Sequence, residues 1–318
     1  MVKKVLSIVV VVSMLAYGVF FVASGRSVFA ITNPFQGNTT LQHKKPAELK
    51  IGVSLSTLNN PFFISIRDGV TETAKASGSK VQVYDGQNST NKQSNDVEDL
   101  IQKKVDVLII NPVDSSAITP EVKSANEAGI PVITIDRSSD GGKVLSLVAS
   151  DSREGGKMAA NFMIKTLGKN AKIAELQGTP GASATRERGA GFDNTAKGHL
   201  NIVTQQTANF DRTQGLNTAE NIAQAHPDIT GLFSQNDEMA LGAVQALKNN
   251  PNVIIVGFDG SADGISSVKK EQMAATVAQK PKEMGKLAVK AAYDYFQGKK
   301  VASKIKSPLE LIVSDKYK

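Results

Sequence analysis

The 318-residue chain has no cysteine and only three histidines, and aromatic residues make up 5% of it. Without cysteine there is no disulfide, no zinc–thiolate site, no thiol nucleophile and no lipid-modified cysteine of the bacterial lipoprotein kind. The histidines are poorly placed for acid–base chemistry: His43 lies in a polar N-terminal stretch, His199 follows Gly198 in a turn, and His226 precedes Pro227. None stands at a strand end beside a carboxylate, where a general base would be expected. No G-x-S-x-G occurs, Gly141-Gly142-Lys143 lacks the upstream glycine of a phosphate loop, and no EF-hand loop is present. No cofactor and no metal are therefore expected. Basic clusters interleaved with aromatics are also missing, which argues against nucleic acid despite a formal charge of +7.

What is present is the composition of a globular protein, 41% hydrophobic and 21% charged, on a chain long enough for two domains. Residues 1–30 differ in kind. A basic head, Met1-Val2-Lys3-Lys4, precedes an almost wholly apolar run from Val5 to Ala23, and Val28-Phe29-Ala30 offers small residues where a signal peptidase needs them. This reads as a cleavable export signal, with a single membrane-anchoring helix as the alternative, because about 18 apolar residues suffice to span a bilayer. Removing Lys3, Lys4 and Arg26 leaves a net charge of +4 on the remainder. Residues 31–47, polar and proline-containing, read as a flexible leader.

From Glu48 onward, β-branched runs alternate with stretches of helical spacing, the pattern of βα units around a parallel sheet. Strands are expected at 50–54, 80–84, 105–110, 131–135, 144–149, 172–176, 202–206, 230–233, 253–256 and 274–278. In the last long helix, Met284, Leu287, Ala288, Ala291 and Tyr295 form one apolar stripe that Gly298 stops. So many units exceed one comfortable core, which predicts two doubly wound lobes with a seam near Ser150-Asp151, where a capped helix begins. An eight-fold barrel has the same alternation.

In open parallel sheets ligands bind beyond the carboxyl ends of the strands. The residues expected there are Asn59 to Phe63, Asp136-Arg137, Arg186-Glu187-Arg188, Asn209 to Arg212, Gln235-Asn236-Asp237, Gly257 to Gly260, and Gln279. Carboxylates, amides and guanidinium groups grip paired hydroxyls, and phenylalanine rings cover the C–H faces of a sugar ring. Each residue also has a plain structural role open to it. Asn236, Asp237 and Asp259 could be helix caps, Phe62 and Phe63 could be core, Arg186 and Arg188 a solvated helix face, and Asp136-Arg137 a surface ion pair. Convergence of so many hydroxyl-compatible groups on separate strand ends favours a sugar pocket.

At these residues a resemblance emerges. Ser56-Thr57-Leu58-Asn59-Asn60-Pro61-Phe62-Phe63, Ile109-Ile110-Asn111-Pro112, Pro131 to Arg137, Arg186-Glu187-Arg188-Gly189, Gln235 to Gly242 and Val256-Gly257-Phe258-Asp259-Gly260 occur in order. Between about Lys50 and Val313 the chain resembles the ribose-binding proteins among type I periplasmic sugar-binding proteins. The resemblance implies an α/β fold of two flavodoxin-like, doubly wound parallel-sheet lobes joined by a three-crossing hinge, against the barrel. It implies an N-terminal lobe of 48–150 plus 280–309 and a C-terminal lobe of 151–279 plus 310–318. It also implies that Asn60, Asp136, Arg137, Arg186, Asn236, Asp259 and Gln279 hydrogen-bond a monosaccharide, D-ribose first, while Phe62, Phe63 and Phe210 sandwich it. Closure around the sugar would be read by an ABC permease in the inner membrane, or by a chemoreceptor, with the protein a periplasmic monomer.

Allose- and galactose-type binding proteins share this fold. A sugar-responsive repressor should carry an N-terminal helix-turn-helix, and an export segment stands there instead. Asp136 and Asp259 could be drawn as a glycosidase pair, but Arg137 beside the first favours a permanently ionised acceptor over a general acid.

Overall fold

Runs such as Val107–Ile110 and Val132–Ile135 are buried along their whole length, as central strands covered by helices on both faces must be. The computed structural model describes residues 43–318, so the export segment and most of the leader lie outside the described residues. The first lobe builds β1 (Lys50–Leu55), α1 (Pro61–Ala76), β2 (Lys80–Asp85), α2 (Thr90–Gln102), β3 (Val107–Ile110), α3 (Thr119–Glu127), β4 (Val132–Ile135) and β5 (Ser146–Ser150). The second builds α4 (Ser152–Leu167), β6 (Lys172–Gln177), α5 (Ser183–Ala196), β7 (Asn201–Thr207), α6 (Arg212–Ala225) and β8 (Gly231–Ser234). It continues through α7 (Asp237–Ala246), β9 (Ile254–Asp259), α8 (Ala262–Lys269) and β10 (Ala275–Ala278). The chain then returns to the first lobe for α9 (Pro281–Phe296) and β11 (Lys304–Ser307), and ends with β12 (Glu310–Val313) in the second sheet.

The sheet orders are β11-β5-β4-β3-β1-β2 and β12-β10-β9-β8-β6-β7. All pairings are parallel except β10 with β12. Each sheet has helices on both faces. One face of the first sheet shares a core with α1 and α9 through Ile66, Val70, Met284 and Ala288, and the other packs on α2 and α3 through Val97, Leu100 and Val122. In the second lobe α4 and α5 cover one face, with Phe192 stacked on Phe233 at 4.2 Å, and α6, α7 and α8 cover the other. The α/β class with two doubly wound lobes is thus the observed architecture.

The chain passes between the sheets three times, at residues 150–152, 279–280 and 307–310. Asp151 caps the helix that begins after the first crossing, its carboxylate accepting a hydrogen bond from the Glu154 N–H at 3.1 Å. Two details differ from the sequence reading. β11 carries no strand signal in the sequence, because Lys304-Ile305-Lys306 on a sheet edge lacks an apolar run. β9 extends through Gly257-Phe258-Asp259, which read as a loop, because Phe258 is fully buried in the second core.

Candidate functional site

The carboxyl ends of both sheets face a common cleft, and a narrow pocket lies between them. From the first lobe, Asn60 comes from the loop after β1, Phe62 and Phe63 from the first turn of α1, and Asp136 and Arg137 from the end of β4. The second lobe contributes Ala184 and Arg188 on α5, Phe210 after β7, Asn236 after β8 and Asp259 at the tip of β9, while Gln279 sits in the second crossing.

Local chemistry fixes these positions. Asn60 is the N-cap of α1, its side-chain oxygen accepting from the Phe62 N–H at 2.9 Å, and Pro61 supplies the preset φ of the first helical residue. Both phenylalanines are buried and meet edge to face at 5.3 Å. Both line the pocket, because the first turn of a helix exposes its end as well as its side. Asn236 caps α7 through the Met239 N–H at 2.9 Å and donates to the Phe210 carbonyl at 3.2 Å. Asp259 is not a cap, since Ser261 caps α8. Asp237, inside α7, accepts instead from the Ser261 N–H and the Thr276 hydroxyl, both at 2.7 Å.

Three pocket residues hold backbone conformations that L-residues rarely adopt: φ is +64° at Asp136, +60° at Phe210 and +121° at Asp259. Such strain persists where the surroundings over-determine it, and it clusters at functional sites. Gly178 shows the crowding, because a Cβ there would lie 2.0 Å from the Phe210 ring.

Four charges share the cleft. Asp136 and Arg137 form a buried pair at 3.7 Å, not the surface pair that sequence alone allowed. The Arg137 guanidinium lies 5.2 Å from the ring centres of both Phe63 and Phe210, bridging the lobes. Arg188 is 2% exposed, stacks 3.6 Å from the Phe258 ring and donates to the Gln235 carbonyl. Burial pushes the Asp136 carboxyl above the usual range against the pull of Arg137 and Arg188. Burial pushes Asp259 well above it, opposed by Arg188 and reinforced by Asp237. Burial lowers both guanidinium groups from their ordinary value, opposed chiefly by Asp136 for Arg137 and by Asp259 for Arg188; both remain cations. Gln279 donates to Asp259 at 2.9 Å.

Arg186 is a correction. Its side chain is 45% exposed and pairs with Asp140 at 2.7 Å, outside the pocket. Arg188 takes the position instead, and a signal for it was available: Ala184, Arg188 and Phe192 are spaced four apart on α5 and all buried, whereas Arg186 falls on another face.

Three buried polar atoms of this pocket have no hydrogen-bond partner: Nε of Arg137, Nε of Arg188 and Oε1 of Gln279. Two donors and an acceptor are thus left to a ligand that offers both kinds of group. Among the described residues no cluster of three His, Asp or Glu side chains could hold a metal, and no helix is long and apolar enough to cross a membrane.

The model of the periplasmic binding protein domain matches residues 51–300. This chain belongs to the periplasmic binding protein family. Within that family it is 56% identical to the ribose import binding protein of Bacillus subtilis, over 83% of this chain and 87% of that protein. It is 44% identical to the Escherichia coli ribose import binding protein, over 87% of this chain and 94% of the other. Among solved members, a solute-binding protein from Actinobacillus succinogenes with bound D-allose superposes with a TM-score of 0.78 at 33% identity, covering 85% of this chain and 99% of that one. The Caulobacter myo-inositol-binding protein, bound to myo-inositol, gives 0.79 at 31% identity, covering 85% and 94%.

Proposed function

We propose that the chain is the exported sugar-binding component of an ABC importer, and that its interlobe pocket takes one monosaccharide, D-ribose, without chemical change. The observation that carries this reading is the pocket's unmet hydrogen bonding between aromatic faces. Donors on Arg137 and Arg188, an acceptor on Gln279 and two carboxyls surround a space walled by Phe62, Phe63 and Phe210. Hydroxyls both donate and accept, and the C–H faces of a sugar ring pack on phenylalanine. Ribose is preferred over the allose and inositol ligands of the solved structures because the ribose import binding proteins are the more similar relatives.

In this reading residues 48–150 plus 280–309 move as one body and 151–279 plus 310–318 as the other, about the three crossings. The sugar contacts both lobes, so it favours closure by its differential affinity for the closed form. An inner-membrane permease reads that form from a monomer, and the N-terminal segment directs export to the periplasm. A thermal-shift panel of pentoses and hexoses tests the choice. With ribose at about a hundred times its Kd, the melting temperature should rise on the order of 5 °C. A response to hexoses with none to ribose would overturn it.

A further inference from the structure

One edge of the cleft is stitched by direct bonds between the lobes. The Ser115 N–H, in the loop after β3, donates to the Gly181 carbonyl at 3.0 Å, and the Ser115 hydroxyl accepts from the Ser183 N–H at 3.0 Å. The Ser183 hydroxyl in turn accepts from the Ser138 N–H, in the loop after β4, at 2.9 Å. Outside these, Arg186 reaches across to the Asp140 carboxylate at 2.7 Å while also donating to the Gly181 carbonyl at 3.1 Å. The opposite edge is different. Asn59 and Asn88 of the first lobe face Asn209 and Arg212 of the second across a second pocket, and among the described residues no hydrogen bond spans it.

We infer that Asp140 and Arg186, with Ser115, Ser138 and Ser183, form an interlobe latch that sets sugar affinity through the closing equilibrium without touching the sugar. Apart from the Arg186–Gly181 bond, which lies within the second lobe, each of these bonds joins a first-lobe loop to the start of α5 or to the turn just before it, so they are made in the closed form and break when the lobes part. Arg186 and Arg188 then divide the work of one helix turn: Arg188 faces the pocket, and Arg186 holds the lobes together at its rim. With the ligand-free protein divided between open and closed forms, weakening the closed form lowers the closed fraction, and the apparent Kd of any sugar that requires closure rises by that same ratio. This inference rests on the proposed sugar binding for its affinity readout but not for its conformational one.

The absence of native cysteine makes a direct test simple. Spin labels on Glu127→Cys and Lys197→Cys, one exposed site per lobe, report the interlobe distance with and without ribose, alongside titration calorimetry. Arg186→Ala should lengthen the ligand-free distances and weaken ribose binding about 2- to 5-fold, the range for an ion pair exposed to this degree. Ser183→Ala, which keeps the helix but strands the Ser138 N–H, should do so about 2- to 10-fold. Exchanging the charges in the double variant D140R/R186D should recover most of the Arg186→Ala loss. Unchanged distances with reduced affinity would mean that Arg186 touches the sugar and would overturn the latch, as would parental distances and affinity in both single variants. If ribose bound nowhere while the variants still lengthened the distances, the latch would stand and the ribose assignment would fall.

Discussion

The two lobes follow one plan of parallel strands and flanking helices, yet they hold their pocket loops with different chemistry. Behind the first lobe's wall stand neutral groups. Gln93 donates to the Asn111 carbonyl at 2.8 Å and to the Ser54 hydroxyl at 3.2 Å, and accepts from the Val113 N–H at 2.7 Å. Asn111 joins the Ser56 N–H to the Ile135 carbonyl. Behind the second lobe's wall stand carboxyls. Glu175, fully buried, accepts from Gln235 at 2.8 Å and from Gln205 at 2.5 Å, and Gln235 accepts the Gly178 N–H at 3.0 Å. Asp237 is buried without a cation in contact, held by Thr276 and Ser261. Amides carry the same geometry at every pH, and buried carboxyls do not. The amide network behind the first wall should therefore be indifferent to pH and the carboxyl network behind the second responsive.

The sharpest break in that comparison comes from Arg188, which compensates Asp259 and Asp136. Removing one member of a buried ionic group leaves the others uncompensated, at about 3–5 kcal/mol. Arg188→Ala should therefore lose about that much stability in urea unfolding and abolish sugar binding. Arg186→Ala, two residues away but 45% exposed, should stay within about 1 kcal/mol of the parent. Equal losses in the two would remove the distinction between pocket and rim.

The second test is pH. Burial, with the neighbouring Asp193 carboxylate, raises Glu175 from 4.5 to about 7, and burial raises Asp237 from 3.8 to about 6. Between the unfolded and folded values the native state binds more protons, so stability falls as pH rises through that window and is greatest below it. For Glu175 the loss between about pH 4.5 and 7 is on the order of 3 kcal/mol. The charged groups around it are few: Asp193 on α5 faces it, and Gln205 and Gln235 supply only amides. Glu175→Gln, with the Gln205 amide turned to accept, should reduce the fall of the urea midpoint between pH 5 and 8 and leave the part that Asp237 and Asp259 contribute. A parental slope in that variant would place the titration elsewhere.

What could be read beforehand follows from the same physics. The central strands of both lobes announce themselves as apolar runs because both faces of each sheet are covered there. Asp136, Arg137 and Asp259 stand out because they interrupt such runs at their carboxyl ends. Arg188 was obscured because two arginines two residues apart on a helix of weak amphipathicity offer no phase until Ala184 and Phe192 are recognised as buried. The carboxyls behind the second wall were harder still. Glu175 lies inside β6 between Ala174 and Leu176, and only the tertiary approach of Gln235 and Gln205 makes a buried acid tolerable there. Nor could the rim be read, since Asp140 and Arg186 are 46 residues apart and meet only when the lobes close.

Among the buried networks the smallest loss belongs to the first lobe. Gln93→Ala strands the Val113 N–H, which is buried beside the Pro112 and Val113 carbonyls that hold Arg137. The cost of one unmet buried donor is about 1–3 kcal/mol, and because no titrating group takes part the loss should be the same at pH 5 and pH 8. The loop it releases carries Ser115 as well as the acceptors of Arg137, so ribose affinity should fall together with stability. If Gln93→Ala instead steepened the pH dependence, the two networks would be coupled across the cleft through Arg137 and Arg188, and the amide and carboxyl networks would not be separable.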